Sequence, residues 1–446
     1  MRKSLIFFHL FLLLPGFFLQ AQQQPWTFQQ CLDTAIRRNI TLNQTRLANE
    51  TNKITLSQSK AARMPNLSAN TSEGLNFGKN ISNTTNQYVV ETYSSTNFGL
   101  SASLNLFNGL QATRTIQKNN LAVQAGDYDI KQSENDVILN ITTAYLQVLL
   151  QYEVLDAANN QASADSSQVE RTRKLVDAGK VPELNLYQMQ AQYATDKLSV
   201  VNALSQLDLA KVTLQQLMEI PVMDTFEITK PQFPDPENLI SGTSDQIYQK
   251  ALSIRPEIAS ASIRTNSALL GVKINEGARW PRLSLGGSAS TNYAASSNSS
   301  RNTNHDPFFQ QTWDNLGEGL SLGLSIPIYS NRQIKSSIEK AKITELDARL
   351  SEQNTKNQLR KVIEQSFTDQ KNAFRKYDAT KQQYTSAEVS YKSIEKKYNV
   401  GMVSAIDYLV EKNNYYQSLS NLIQAKFDYI FKSKILDFYQ GKAIQL

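Results

Sequence analysis

The sequence predicts a mainly α protein with a membrane β-barrel part: long coiled-coil helices forming an α-barrel, and four strands per chain that contribute to a shared barrel. Three observations carry that prediction. Ala35, Arg63, Pro65, Leu67 and Ser68 recur 216 positions later as Ala251, Arg279, Pro281, Leu283 and Ser284, so the chain is written twice and each half is one structural unit. Two stretches, 108–177 and 331–399, lack proline; at ~1.5 Å per residue each would form a helix of roughly 100 Å, too long for an ordinary globular core. Between the helical stretches lie segments of strict period two, the mark of strands with two different faces.

Taken in order, residues 1–21 read as a secretory signal peptide: Arg2-Lys3, an apolar run from Leu5 to Phe18, then Leu19-Gln20-Ala21. The first repeat, 22–243, is expected to hold a helix from Ile40 to Arg63, a β-hairpin over 65–107, the long helix over 108–177, a return helix over 182–220 with Pro182 as its first residue, and an equatorial linker over 221–243 containing Pro231-Gln-Phe-Pro-Asp-Pro236. The second repeat, 244–446, follows the same plan, with a helix from Pro256 to Arg279, a hairpin over 281–328, a long helix over 331–399 and a return helix over 404–441. Gly179 and Gly401 supply the left-handed turns that end the long helices. The long helix of the first copy carries Val137, Ile141, Ala144, Val148, Leu155, Ala158 and Ala162 as a narrow seam, and that of the second carries Ile334, Ile338, Ala341 and Ala348 before turning polar. A return helix and a preceding helix stacked end to end nearly match a long helix, which predicts a joint partway along.

The strands decide the environment. Phe98, Leu100, Ala102, Leu104 and Leu106 alternate with Gly99, Ser101, Ser103 and Asn105, and Leu320, Leu322, Leu324, Ile326 and Ile328 alternate with Ser321, Gly323 and Ser325. Leu67, Ala69, Leu75 and Phe77 and then Leu283, Leu285, Ala289 and Tyr293 continue the pattern. One face is apolar and the other small and polar, as in the wall of a water-filled membrane pore, and Phe98, Phe107, Trp280, Tyr293 and Tyr329 stand near strand ends where interface aromatics belong. No stretch after the signal has the ~18 apolar residues of a membrane helix. Four strands leave open edges that hydrocarbon does not tolerate, so the barrel must be shared between chains. Eight strands from a dimer or twelve from a trimer would close, and an open conduit favours the trimer. Loops 78–96 and 294–312 are rich in Asn, Ser and Thr, as extracellular loops are.

Several chemistries are excluded. Removing Arg2 and Lys3 lowers the formal charge from +6 to +4, and the remaining charges alternate along helices, so no nucleic-acid partner is expected. Cys31 aligns with Ile247 and reads as a small apolar packing position. His305 is the sole histidine after the signal and reads as a loop residue. No metal cluster, histidine-based catalytic set or phosphate loop can be assembled, so neither a cofactor nor an enzyme is expected.

The duplicated order of helix, hairpin, long helix and return helix, with Arg63-x-Pro65 and Arg279-x-Pro281 before the strands and the turns Gly179-Lys-Val-Pro-Glu-Leu-Asn185 and Gly401-Met-Val-Ser-Ala-Ile-Asp407, resembles the TolC family of outer-membrane efflux proteins over the whole mature chain. The resemblance implies a homotrimer with a 12-stranded barrel in outer-membrane lipid, continuous with a periplasmic α-barrel. It also implies a periplasmic adaptor protein and an inner-membrane pump of the RND or ABC class, for which this chain would be the passive exit duct in efflux or type I secretion. By the same resemblance the second hairpin narrows to a gate, with Asp407 in the constriction and forming a ring of three carboxylates. Where relatives carry a second Asp three residues on, this sequence has Val410 and then Glu411. The adaptor would meet the tips at Gly179, Val181, Gly401, Val403 and Ser404. A periplasmic coiled-coil tether without a pore is the alternative, but it has no use for four amphipathic strands.

Overall fold

The structure, a computed structural model, describes residues 24–81, 86–236, 242–296 and 307–444. The signal segment 1–21, His305 and the middle of each expected extracellular loop lie outside the described residues. Helices start and stop at local signals. α1 (Phe28–Arg38) gives way to α2 (Ile40–Ala61) because Asn39 leaves the helical conformation and its side chain caps the Leu42 N–H at 2.9 Å. In the second half, Thr243 and Gln246 form a reciprocal capping box at the head of α5 (Ser244–Ile254), and Pro256 opens α6 (Pro256–Gly277) after an extended Arg255. The expectation of one helix before each hairpin is therefore corrected to two. The expected starts at Ile40 and Pro256 stand, and the added helices α1 and α5 are eleven residues each, short enough that their apolar periodicity gives only a weak signal.

α3 (Gln111–Asp177) and α8 (Gln333–Asn399) are the two long helices, each 67 residues. α4 (Glu183–Leu217) and α9 (Ala405–Tyr439) are the 35-residue return helices. Pro182 is the N-cap of α4, with extended ψ, one position before the helix it was expected to open. Equivalent helices start 216 residues apart before the hairpins (28 and 244; 40 and 256) and 222 apart after them (111 and 333; 183 and 405).

Four antiparallel strands form one sheet in sequence order: β1 (Asn66–Ile81), β2 (Tyr88–Asn108), β3 (Arg282–Ser296) and β4 (Gly317–Ser325). β1 and β2 reach into what was expected to be loop 78–96, because the ladder continues to Ile81↔Tyr88 and only 82–85 lie outside the described residues. The second hairpin differs. β4 has nine residues, and a short helix, α7 (Phe308–Asp314), occupies part of the segment expected as loop 294–312. Aromatic pairs in Phe308-Phe309-Gln-Gln-Thr-Trp-Asp314 drive that helix onto the sheet, overriding the polar loop composition around it.

The chain divides into two compact units: Ile141–Pro234 with the described residues up to Arg37, and Arg38–Asn140 with the chain from Asp235 onward. In the first, Cys31, Ala35, Ile141, Val148, Leu207, Leu214, Met218 and Phe226 are buried, and Tyr145 donates to the Thr229 carbonyl at 2.7 Å. Burial pushes the Cys31 thiol up to about 12, so it is an inert packing group. In the second, α6 and α9 both lie along α8. They hand over at a cluster of Ile247, Ala251, Ile258, Leu359, Ile363 and Leu436. There Arg255 is clamped between Glu257, at 2.9 Å, and the ring of Phe438, at 4.2 Å. Asp235 takes Lys426 of α9 and Lys381 of α8 at 2.9 and 3.4 Å, bridging that helix pair, and the two ammonium groups hold its carboxyl below the usual range.

Candidate functional site

The sheet sorts its side chains by face. Register puts Leu67 opposite Ala102, Ala69 opposite Leu100, Leu104 opposite Leu285, and Leu283 opposite Leu324, all on one side. The other side pairs Ser68 with Ser101, Asn70 with Gly99, Ser284 with Gly323 and Ser288 with Gly319. Glycine leaves room for the polar side chains across the rung: a Cβ at Gly99 would displace the Asn70 amide, and one at Gly286 the Ser321 hydroxyl. One expectation is corrected. A bulge between Asn105 and Phe107 makes Leu106 the extra residue, so Phe107, not Leu106, stands opposite Leu283 on the apolar side. The apolar side is bare to solvent in the single chain, with Leu320, Leu322 and Leu324 at 87%, 66% and 63% exposure.

Of the aromatics expected at the interfaces, Trp280 and Tyr329 flank β3 and β4 and are exposed at 61% and 81%, and Phe107 is partly exposed. Phe98 and Tyr293 stand differently, because Phe308 of α7 packs edge-on to both, with centroids at 6.2 and 5.0 Å.

At the first tip, Gly179 adopts φ +68°, and the Lys180 N–H reaches back to the Leu175 carbonyl at 2.9 Å, a left-handed helix stop. Val181 is half-buried, and Leu184 and Tyr187 just beyond are exposed. The second tip repeats the device: Gly401 has φ +77° and the Met402 N–H reaches the Lys397 carbonyl at 2.9 Å. Val403 is half-buried, while Val400, Met402, Ile406 and Val410 are exposed at 70%, 76%, 58% and 52%. Of these, Val410 was expected at the gate, whereas Val400, Met402 and Ile406 were not singled out from the sequence, where they look like ordinary helix-end positions.

The candidate gate residues sit in the first two turns of α9. The Ser404 hydroxyl accepts from the Asp407 N–H at 3.1 Å and donates to its carboxylate at 2.7 Å, so the cap fixes where this exposed charge points. Val410 shares the exposed side, whereas Glu411 is drawn toward α8 by the Ser390 hydroxyl at 2.7 Å. Asp407 and Glu411 are thus held by different elements.

Behind them lies a tyrosine seam that the sequence reading missed. Tyr377, Tyr384, Tyr391 and Tyr398 recur every seven residues along α8, and Tyr408 and Tyr415 do so on α9; that spacing is the coiled-coil signal that could have found them. Tyr398 stacks on Tyr408 with centroids 4.6 Å apart, and Tyr391 on Tyr415 at 5.0 Å. Within this seam Lys412 has no exposed surface, its ammonium 5.6 Å from the Tyr416 ring, and burial lowers its pKa to about 8. Among the described residues, no group of three or more His, Cys, Asp or Glu is placed to hold a metal ion, and no helix is long and apolar enough to cross a membrane.

The sequence profile of the outer membrane efflux protein family matches residues 31–218 and 247–439. Outer membrane protein TolC of Escherichia coli is 24% identical over 324 residues, 71% of this chain and 63% of that one, so the chain spans less than two thirds of that relative's length. Outer membrane efflux protein BepC of Brucella suis is 21% identical over 76% of this chain and 70% of its own. Among solved structures, the fold is similar to CusC (TM-score 0.77, 17% identity, 93% of this chain and 92% of that) and to the Campylobacter jejuni CmeC outer membrane channel (TM-score 0.78, 18% identity, 93% and 85%). Matched by one profile in both of its halves, this chain belongs to the outer membrane efflux protein family.

Proposed function

We propose that the protein is the outer-membrane exit duct of a tripartite efflux or type I secretion system, conducting small molecules or polypeptides from the periplasm to the exterior. The observation that carries the reading is the two-faced sheet: one side Leu, Ala and Phe, bare in the single chain, the other Ser, Asn and Gly at every second rung from Asn66↔Ser103 to Asn70↔Gly99. A sheet that crosses a bilayer must close, and β1 and β4 are its open edges. Three copies joined edge to edge make a 12-stranded barrel with a water-filled interior. The long helices continue that wall into the periplasm, and the apolar tips offer an adaptor protein a surface to grip.

The helical hairpin of α8 and α9 forms the entrance gate. Three-fold symmetry would bring three Asp407 carboxylates together and favour cations, while the adaptor opens the gate by holding a state in which α8 and α9 have shifted. Transport energy and cargo choice belong to an RND-type or ABC-type inner-membrane pump, so the duct itself is no enzyme. The range of relatives, which includes a toxin and drug export protein and an alkaline protease secretion protein, supports both classes of cargo. Electron microscopy of mature protein extracted from outer membranes tests the reading. A three-fold cylinder with a detergent belt at one end is the expected result, and soluble rods without a belt would overturn it in favour of a tether.

A further inference from the structure

α7 is unlike anything in the first hairpin. The β3–β4 ladder stops at Ser290↔Gly317, yet β3 continues to Ser296 on its β2 side. Beyond the last rung, α7 takes the place of a strand. The Thr291 hydroxyl donates to the Thr312 carbonyl, and Asn315 Nδ2 donates to the Asn292 carbonyl at 2.9 Å. The Gln311 amide accepts from the Ala294 N–H and donates to its carbonyl at 3.3 Å. A bare strand edge is thereby satisfied by side chains.

The helix is seated on the apolar side of the sheet, because Phe308 packs on Phe98 and Tyr293, which share that side with Leu100 and Leu285. Phe309 and Trp313, four residues apart and so on one side of α7, are left 81% and 77% exposed. The helix carries no charge before Asp314. Height follows from strand length: β4 has nine residues, about the number a tilted strand needs to cross hydrocarbon. A helix joined to its outer end by Asn315-Leu316 stands where tryptophan belts sit in outer-membrane barrels.

We infer that α7 is a lipid-interface helix that embeds Phe309 and Trp313 in the outer-leaflet boundary of the membrane, anchoring the short β4 hairpin; the inference rests on the barrel reading above. The apolar lane of Leu324, Leu322 and Leu320 on β4 ends at Glu318, which stands on the same side opposite Ala289, so the hydrocarbon-facing surface stops there and α7 lies just beyond it, at boundary height. A neighbouring copy or open water are the competing occupants.

The test uses the full mature protein with Trp313 as its one tryptophan (Trp26→Phe, Trp280→Phe), reconstituted in phosphatidylcholine vesicles. The acyl chains carry bromine near either the headgroup or the methyl end. A companion protein with all three tryptophans replaced by Phe and Leu322→Trp added reports the strand surface. The expected result is emission of Trp313 falling about twofold or more with shallow bromine and less with deep bromine, as an interfacial indole requires. Trp313 untouched by bromine while the Leu322→Trp companion is quenched would overturn the inference and leave the barrel standing, whether the indole packs on a neighbouring copy or is quenched by aqueous iodide. If neither protein is quenched, the barrel reading fails and the inference with it.

Discussion

Lys412 offers the sharpest quantitative test. Its side chain has no exposed surface, and its pKa is lowered from 10.5 to about 8 by burial. At ~1.4 kcal/mol per pH unit, holding that ammonium charged in the fold at neutral pH costs on the order of 3 kcal/mol. Because the folded pKa lies below the unfolded one, the favourable contribution is present above pH 10.5 and is lost as the pH falls through about 8. Lys412→Met keeps the apolar stem and removes the charge. Guanidinium unfolding of both proteins in detergent, followed by far-ultraviolet circular dichroism, should show the variant more stable near neutral pH by ~2–3 kcal/mol. That advantage should shrink as pH rises between about 8 and 10.5. Other titrations are common to both proteins, so the difference isolates Lys412. A variant less stable than the parent at neutral pH, or a difference that does not change with pH, would refute the reasoning.

Three further perturbations probe other parts of the molecule. Arg255→Ala strips the partner from Glu257 and the cation from the Phe438 ring where α9 meets α6; a loss of ~3 kcal/mol is expected in the same unfolding assay, much of it regained by Arg255→Met with Glu257→Gln, and a loss under ~1 kcal/mol would contradict it. Gly109→Ala must place a Cβ at φ +65° into the Gly277 carbonyl, so a penalty of at least about 1–2 kcal/mol should appear as a lower thermal midpoint; an unchanged midpoint would mean the α3–α6 approach is loose. Asp407→Ala should lower the preference for cations over anions in planar bilayers, and an unchanged reversal potential would remove Asp407 from the constriction.

The sequence made legible what is local. The alternation Phe98 to Leu104 names the two faces of β2 before any pairing is known, and Gly179 and Gly401 mark turns because a left-handed helix stop favours glycine. It was less legible where two weak signals competed. The helix starts at Ile40 and Pro256 were read correctly, but the eleven-residue helices α1 and α5 just before them were missed, the bulge at Leu106 shifts a face without changing the alternation, and α7 is a seven-residue helix within polar surroundings. The tyrosine heptads were present in plain spacing, but a polar hydroxyl on each ring made them resemble a wet face.

By itself the sequence determined the duplication, the long helices, the two-faced strands and hence the family, because these follow from spacings between near neighbours and from proline and glycine stereochemistry. Only the tertiary structure decided that Lys412 is buried, that Glu411 leans toward Ser390 while Asp407 is held by its own cap, and that Phe308 covers Phe98 and Tyr293. Burial and partner choice are set by segments that approach from far along the chain, Phe98 and Phe308 being 210 residues apart, and no local pattern records which segments will meet.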